Sequence, residues 1–202
     1  AAMQFVFAPV IGNLSDRFGR RPILLASVFT FAIDNLICAI AWSYPMLFIG
    51  RVLAGISGAS YSTASAFIAD VSTDENRARN FGLLGIAFGV GFVIGPVLGG
   101  ILGEFGPRVP CYFAAGLAFL NFGVAFFLLP ETLAPAYRRR FDWRRASPLG
   151  ALKQMRNYPG IGWLGLVFFL MTLGHMVYPA VWSFVSDYRY GWSERQIGLS
   201  LG

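Results

Sequence analysis

Charge is scarce in this chain of 202 residues: Asp, Glu, Lys and Arg together make up 13% of it. There is a single histidine, His175, and there are two cysteines, Cys38 and Cys111. One histidine excludes a histidine-rich metal centre, and no His, Cys, Asp and Glu cluster has metal-ligand spacing. There is no phosphate-cradling glycine loop and no nucleophile–base pair. An enzyme is therefore not expected, and neither a metal nor a cofactor is called for. The two cysteines fall in apolar segments and read as buried, inert thiols; a disulfide between them is the alternative. No signal peptide is visible. The chain opens with Ala1 inside an apolar run and stops at Gly202 just after a helix begins, and it is read as an internal piece of a longer protein.

What is abundant is apolar surface. Hydrophobic residues make up 56% of the chain, with 24 glycines and 20 phenylalanines. A soluble domain of this size has too little interior for that much apolar surface. The net charge of +6 does not describe a nucleic-acid groove. Arg138, Arg139, Arg140, Asp142, Arg144, Arg145, Lys153 and Arg156 account for all of it within one linker, so it marks a juxtamembrane segment.

The apolar runs are about twice the ~10 residues of a barrel strand and do not alternate in polarity, so they are helices. Pro22–Trp42 is a span whose one charge is Asp34, and Tyr44–Ala69 is a span whose one charge is Arg51. Asn80–Gly103 and Val109–Pro130 carry none, and Tyr158–Ser186 carries only His175 apart from its tyrosines. Ala1–Leu14 is shorter than the ~20 residues a bilayer needs and is taken as part of a helix. Ile197 begins another. Ser72 and Glu75 have capping-box spacing for the helix that follows. The expected fold class is an all-α membrane protein, a polytopic transmembrane helix bundle. The connections at 15–21, 70–80 and 131–156 carry twelve Lys and Arg residues, and those at 43–45, 104–108 and 187–196 carry three. The first set is therefore cytoplasmic.

Charges inside a bilayer cost roughly 2.5–3.5 kcal/mol near its centre on insertion scales, so Asp34 and Arg51 need partners or water. Counted from the turn at Ser43–Pro45, they lie at depths of about 12 and 9 Å at ~1.5 Å per residue. Two antiparallel helices joined by so short a turn bring them together, directly or through water. The alternative is two unrelated charges, each facing a cavity or a head group.

The stretch Gly12-Asn13-Leu14-Ser15-Asp16-Arg17-Phe18-Gly19-Arg20-Arg21-Pro22 reads as a short, cationic, tightly turned loop. It resembles the loop between the second and third helices of major facilitator superfamily transporters, roughly G-x-L-(A/S)-D-R-x-G-R-(K/R)-P, at every position. The preceding Met3-Gln4-Phe5 and Ala8-Pro9-Val10-Ile11-Gly12 look like the second helix of the tetracycline/proton antiporters. Leu47, Arg51, Ala54, Gly55, Gly58 and Ala59 are spaced like the fourth-helix motif of proton-coupled facilitators. Gly91, Gly95, Pro96, Gly99 and Gly100 resemble the fifth-helix signature of antiporters. Glycines four apart leave a helix face bare for close approach, and Pro96 removes a backbone N–H and bends the helix.

The resemblance implies the major facilitator fold: most of its N-terminal half plus the start of the C-terminal half. Residues 1–130 would be helices two to six of the N-terminal bundle. Residues 131–157 would be the basic central loop, and 158–202 helix seven and the beginning of eight. It implies that Arg51 takes part in proton coupling, that Asp34 is required for transport and that Gln4 takes part in substrate transport; an amide bonding to a neighbouring helix is the other reading of Gln4, and Asp34 with Arg51 is the pair expected to do the coupling. It implies a cytoplasmic gate of Gly12, Asp16, Arg17, Gly19, Arg20, Arg21, Asp70, Arg77 and Arg79. His175 reads as a packing histidine, with a proton or ligand role as the alternative. Its segment, Gly174-His175-Met176-Val177-Tyr178-Pro179-Ala180, departs from the G-Q-x-P-A of the tetracycline proteins, so the resemblance leaves the substrate open.

The implied function is proton-coupled efflux of a small amphipathic, tetracycline-like drug across the inner membrane by alternating access. The proton gradient would drive it with no cofactor. Drug, protons and lipid are the expected partners, nucleic acid is not, and the full-length transporter would be a monomer. Uptake of a metabolite on the same fold and a non-transporting receptor or scaffold are the alternatives.

Overall fold

The computed structural model describes residues 2–143, 146, 147, 150 and 161–202, without the side chains of residues 2, 161, 175, 176 and 180. Arg144, Arg145, Lys153 and Arg156 of the basic linker lie outside the described residues. The helices are α1 (Ala2–Phe18), α2 (Arg20–Ile40), α3 (Tyr44–Gly58), α4 (Tyr61–Asp70), α5 (Arg77–Gly103), α6 (Val109–Leu128), α7 (Ile161–Tyr190) and α8 (Glu194–Leu201). A short 3-10 turn, Pro135–Tyr137, sits in the linker, and there is no strand among the described residues. Five helical stretches are long and apolar enough to cross a membrane: α2, α3 with α4, α5, α6, and Gly162–Tyr190 of α7. The expected helical bundle is therefore found.

The packing is that of a membrane protein. Buried positions are mostly small, among them Ala32, Ala39, Ala59, Ala115 and Ala118, and large side chains such as Phe48, Phe127, Trp163 and Phe168 point outward. Small residues let helix backbones approach where lipid supplies the apolar surroundings. In α5 the most apolar stretch has no buried residue at all.

Several boundaries differ from the sequence expectation. The loop of Gly12–Pro22 is not a loop: α1 runs to Phe18 and α2 starts at Arg20. The reversal is confined to Gly19, whose φ of 106° only glycine adopts freely. Pro22 sits in the first turn of α2, where a missing N–H costs nothing. The span from Tyr44 is broken at Ala59–Ser60. Gly58 and a run of serines account for the break: Ser57, Ser60 and Ser62 donate their hydroxyls to the carbonyls of Ala54, Ser57 and Ala59. Side-chain bonds of this kind, next to a glycine, compete with the helical ladder.

The capping box of Ser72 and Glu75 does not form. Ser72 Oγ donates back to the Ile68 carbonyl, and Thr73 N donates to Asn76 Oδ1 instead, so α5 starts at Arg77 rather than Asn80. A true capping box stands at Ser193 and Gln196, where each side chain takes the other's backbone N–H. It starts α8 at Glu194, ahead of the expected Ile197.

Two compact units result. One contains residues 1–84 and 111–151, the other 85–110 and 152–202. In the first, α2 and α3 form the central hairpin and α1 lies across α3 at Gly55, where a Cβ would come 2.5 Å from that of Met3. Phe29 of α2 meets Phe119 and Phe122 of α6 at 6.1 and 5.3 Å between ring centres. In the second, α8 crosses the end of α5, and Trp182 of α7 donates its indole N–H to Ser200 of α8 at 2.8 Å.

Candidate functional site

The α2–α3 hairpin brings Asp34 and Arg51 together. Arg51 Nη2 lies 3.2 Å from Asp34 Oδ1. The two ends of the pair are unlike. The Asp34 side chain is 1% exposed and that of Arg51 is 61% exposed. The acid is sealed between helices and the guanidinium reaches in to it from the open side. The same Nη2 lies 2.9 Å from Cys38 Sγ, one helical turn beyond Asp34. The thiol in turn sits 3.7 Å from Asp34 Oδ1. Gly50 makes room for this cluster: a Cβ there would come 2.7 Å from Cys38 Sγ and 3.4 Å from Asp34 Oδ1. Cys38 and Cys111 are both free thiols.

Asp34 Oδ2 is buried and has no hydrogen-bond partner among the described residues. A buried acceptor without a donor is costly. The arrangement has the parts of a proton site: a sheltered carboxyl with an idle oxygen, and a cation beside it.

Gln4 of α1 donates to the Gly58 carbonyl at 3.1 Å. This is the neighbouring-helix bond that was one of its two readings, made to a carbonyl at the α3–α4 break. On the other side of that break, a cavity of about 650 Å³ is lined by Ser27, Phe31, Ser57, Ser60, Leu117 and Asn121 among others.

The arginine-rich end of the first unit is built around Arg20. Its guanidinium bonds Asp16 Oδ1 at 2.6 Å, Ser15 Oγ at 2.7 Å and Asp70 Oδ2 at 3.1 Å. One side chain, 11% exposed, thus joins α1 to the end of α4. Glu131 supplies a further piece. Its Oε1 accepts from Arg20 N at 2.9 Å and Leu133 N at 3.0 Å, and its carboxylate fills the space a Cβ at Gly19 would need. An acid at a helix N-terminus is favoured by the helix dipole. Arg21 donates to the Phe126 carbonyl at 2.7 Å and so caps the end of α6. Asn13 pairs with the Asp142 backbone, donating to its carbonyl at 2.8 Å and accepting from its N–H at 3.3 Å, which holds the linker against α1. Gly12 faces Ser62: a Cβ there would come 3.8 Å from Ser62 Oγ, an ordinary contact.

Not every expected member joins this cluster. Arg77 and Arg79 are exposed in the first turn of α5, outside the network of Arg20. Asp70 Oδ2 is engaged instead by Arg20 and by Thr132 Oγ1, the latter at 3.3 Å. Arg17 leans on the neighbouring Phe18 ring, 5.0 Å from its centre.

In α5 the close approach is shifted along the expected motif. A Cβ at Gly91, Gly95 or Gly99 would meet nothing within 4 Å among the described residues. At Gly100 it would come 2.6 Å from the Glu194 carbonyl oxygen and 3.0 Å from Gly198 Cα. Gly198 itself packs on the Pro96 carbonyl, and Gly103 on the Glu194 carboxylate. The helix is continuous through Pro96. His175 lies in α7, and its side chain is outside the described residues.

Cys38, Gly50, Ser15 and Glu131 were not singled out by sequence. Cys38 carried a signal, since it is four residues from Asp34 and shares its helix face. Glu131 carried none: its contact with Arg20 spans 111 residues of chain.

The chain is similar to known proteins over its whole length. The chain is 44% identical over 201 residues to a tetracycline resistance protein of class C from Escherichia coli, covering all of this chain and 50% of that one. It is 28% identical over 204 residues to multidrug resistance protein 2 of Bacillus subtilis, covering all of this chain and 51% of that one. The solved structure of the human organic anion transporter MFSD10 (TETRAN) superposes with a TM-score of 0.76 at 29% identity, over 97% of this chain and 50% of that one. The chain thus spans about half the length of the curated relatives it matches. The family profile described as Major Facilitator Superfamily matches residues 1–202, from end to end, and the chain belongs to that superfamily.

Proposed function

We propose that the full-length protein exports a small amphipathic drug of the tetracycline kind across the cytoplasmic membrane in exchange for protons. The observation that carries this reading is the ion pair of Asp34 and Arg51, at 3.2 Å between helices long enough to span a bilayer. The 44% identity to a tetracycline resistance protein supports the drug class. Asp34 takes up and releases the proton, and Arg51 senses its charge. Gln4, at the α1–α3 crossing, borders the drug path.

The network of Arg20, Asp16, Asp70 and Glu131 is the cytoplasmic gate. A gate between two nearly balanced states needs only a small bias, which a few such ion pairs supply when they form in one state and break in the other. Residues 1–130 belong to one bundle and 158–202 to the other, with 131–157 joining them at the cytoplasmic face; transport is their alternating access. The proton gradient is the only energy source, no cofactor takes part, and the transporter works as a monomer in the inner membrane.

The test is drug movement in everted membrane vesicles made with the full-length protein. Energised vesicles are expected to accumulate tetracycline and to lose it when a protonophore is added. Accumulation indifferent to the protonophore would remove proton coupling. Drug movement only down its gradient would favour a facilitator, and a complete lack of flux a receptor or scaffold.

A further inference from the structure

We propose that Cys38 is a positioning residue of the coupling pair: its thiol holds the Arg51 guanidinium beside Asp34 whether or not that carboxyl carries a proton. This rests on reading Asp34 and Arg51 as the pair that couples transport.

One nitrogen of Arg51 is shared between two acceptors. It is 2.9 Å from Cys38 Sγ and 3.2 Å from Asp34 Oδ1. The two bonds respond differently to a proton. When Asp34 takes one, the ionic attraction is lost and the carboxyl becomes a donor as well as an acceptor. A long, 61% exposed side chain with nothing else among the described residues to hold it would then swing its charge toward water. The sulfur acceptor remains through that step. It keeps the guanidinium beside the Asp34 carboxyl, so the ion pair re-forms as soon as the proton leaves for water.

The thiol is itself fixed. Cys38 is 8% exposed, and Gly50 of α3 packs against it so closely that a Cβ would come 2.7 Å from Sγ. The sulfur cannot retreat from Arg51 without moving the α3 backbone. The groups facing it are Asp34 from α2 and Arg51 from α3; Cys111 of α6 lies within electrostatic range of all three.

Two measurements on the full-length transporter test this. The first compares Cys38→Ala with Cys38→Ser at matched protein levels, with tetracycline as the probe. Alanine and serine are close in size, and only serine keeps a lone pair for Arg51. Each variant is assayed for proton-driven accumulation and for counterflow, the exchange of labelled for unlabelled drug with no net proton movement. For Cys38→Ala, accumulation is expected to fall about ten-fold and counterflow no more than about two-fold, while Cys38→Ser stays within about two-fold in both, as for one lost hydrogen bond to a charged group. Equal losses in both assays, equal behaviour of Ala and Ser, or normal accumulation in Cys38→Ala would reduce Cys38 to packing.

The second measurement needs no transport. N-ethylmaleimide labelling of Cys38, located by peptide mapping in membranes carrying Cys111→Ser, is expected to be slow. It should stay slow in Asp34→Asn, because Arg51 remains on the thiol, and rise in Arg51→Ala. Fast labelling in Asp34→Asn would show that the carboxylate alone holds Arg51, and would overturn the proposal. Should Asp34→Asn transport normally, the coupling reading itself fails; should only Cys38→Ala do so, that reading stands and the thiol's part in it falls.

Discussion

Asp34→Asn in the full-length transporter is expected to lower proton-driven drug efflux by about 100-fold or more, equivalent to about 2.8 kcal/mol, because an amide cannot take up and release the proton that drives the cycle. The loss should be one of function rather than of folding. Asparagine is nearly the shape of aspartate and keeps an oxygen for Arg51. The arginine left behind is 61% exposed and can hydrate. Protein in the membrane should therefore stay near wild-type levels, measured by immunoblot beside vesicle transport. The reverse deletion is less clean. Arg51→Gln leaves an acid that is 1% exposed without its cation, which costs more than stranding the exposed arginine. Both variants should retain drug-for-drug counterflow better than uphill efflux, since counterflow moves no net proton. Wild-type efflux from Asp34→Asn would end the assignment of the proton to this residue.

Gly198→Val is expected to break the packing of α8 on α5. A Cβ at Gly198 would come 2.9 Å from Gly100 Cα and 3.2 Å from Gly100 N, and still nearer to the Pro96 carbonyl oxygen. These are backbone atoms on the facing helix, so no side chain can rotate away. The two helices must separate, and overpacking of this kind costs about 1–3 kcal/mol. Thermal denaturation of the detergent-purified protein should show a lower midpoint, and efflux should fall with it. Gly100→Val should behave alike, meeting the Glu194 carbonyl oxygen 2.6 Å away. An unchanged midpoint in both variants would mean that α5 and α8 do not cross at these glycines.

How much of this was readable beforehand follows from the range of each interaction. The spans were legible because hydrocarbon demands long apolar runs, and the Asp34–Arg51 pairing because the Ser43–Pro45 turn equates their depths. Asp34 and Arg51 are 17 residues apart, and helical geometry carries that far. The Gly19 hinge was not legible. A stretch with two glycines and a proline looks like a loop, yet Ser15, Asp16 and Arg20 bond one another well enough to hold α1 to Phe18. The break at Ala59–Ser60 was missed for a related reason. Apolar periodicity continues across it, and only the serine hydroxyls, bonding backward, interrupt the ladder. Arg77 and Arg79 were expected beside Asp70 from charge counting alone, which does not see that Asp70 Oδ2 bonds Arg20 and Thr132. In α5 the glycine spacing announced a close helix contact but not which glycines would make it. That depends on where Gly198, about 100 residues on, meets the helix.

The most direct measurement is a charge exchange between α2 and α3. Proton-driven tetracycline accumulation is compared in Asp34→Arg, Arg51→Asp and the double variant, at equal amounts in the membrane. If the two side chains act as one unit, each single reversal is close to inactive and the double regains at least about ten-fold over either. If the double variant is no better than the singles while it inserts and folds normally, the pair is not the unit that couples protons to drug.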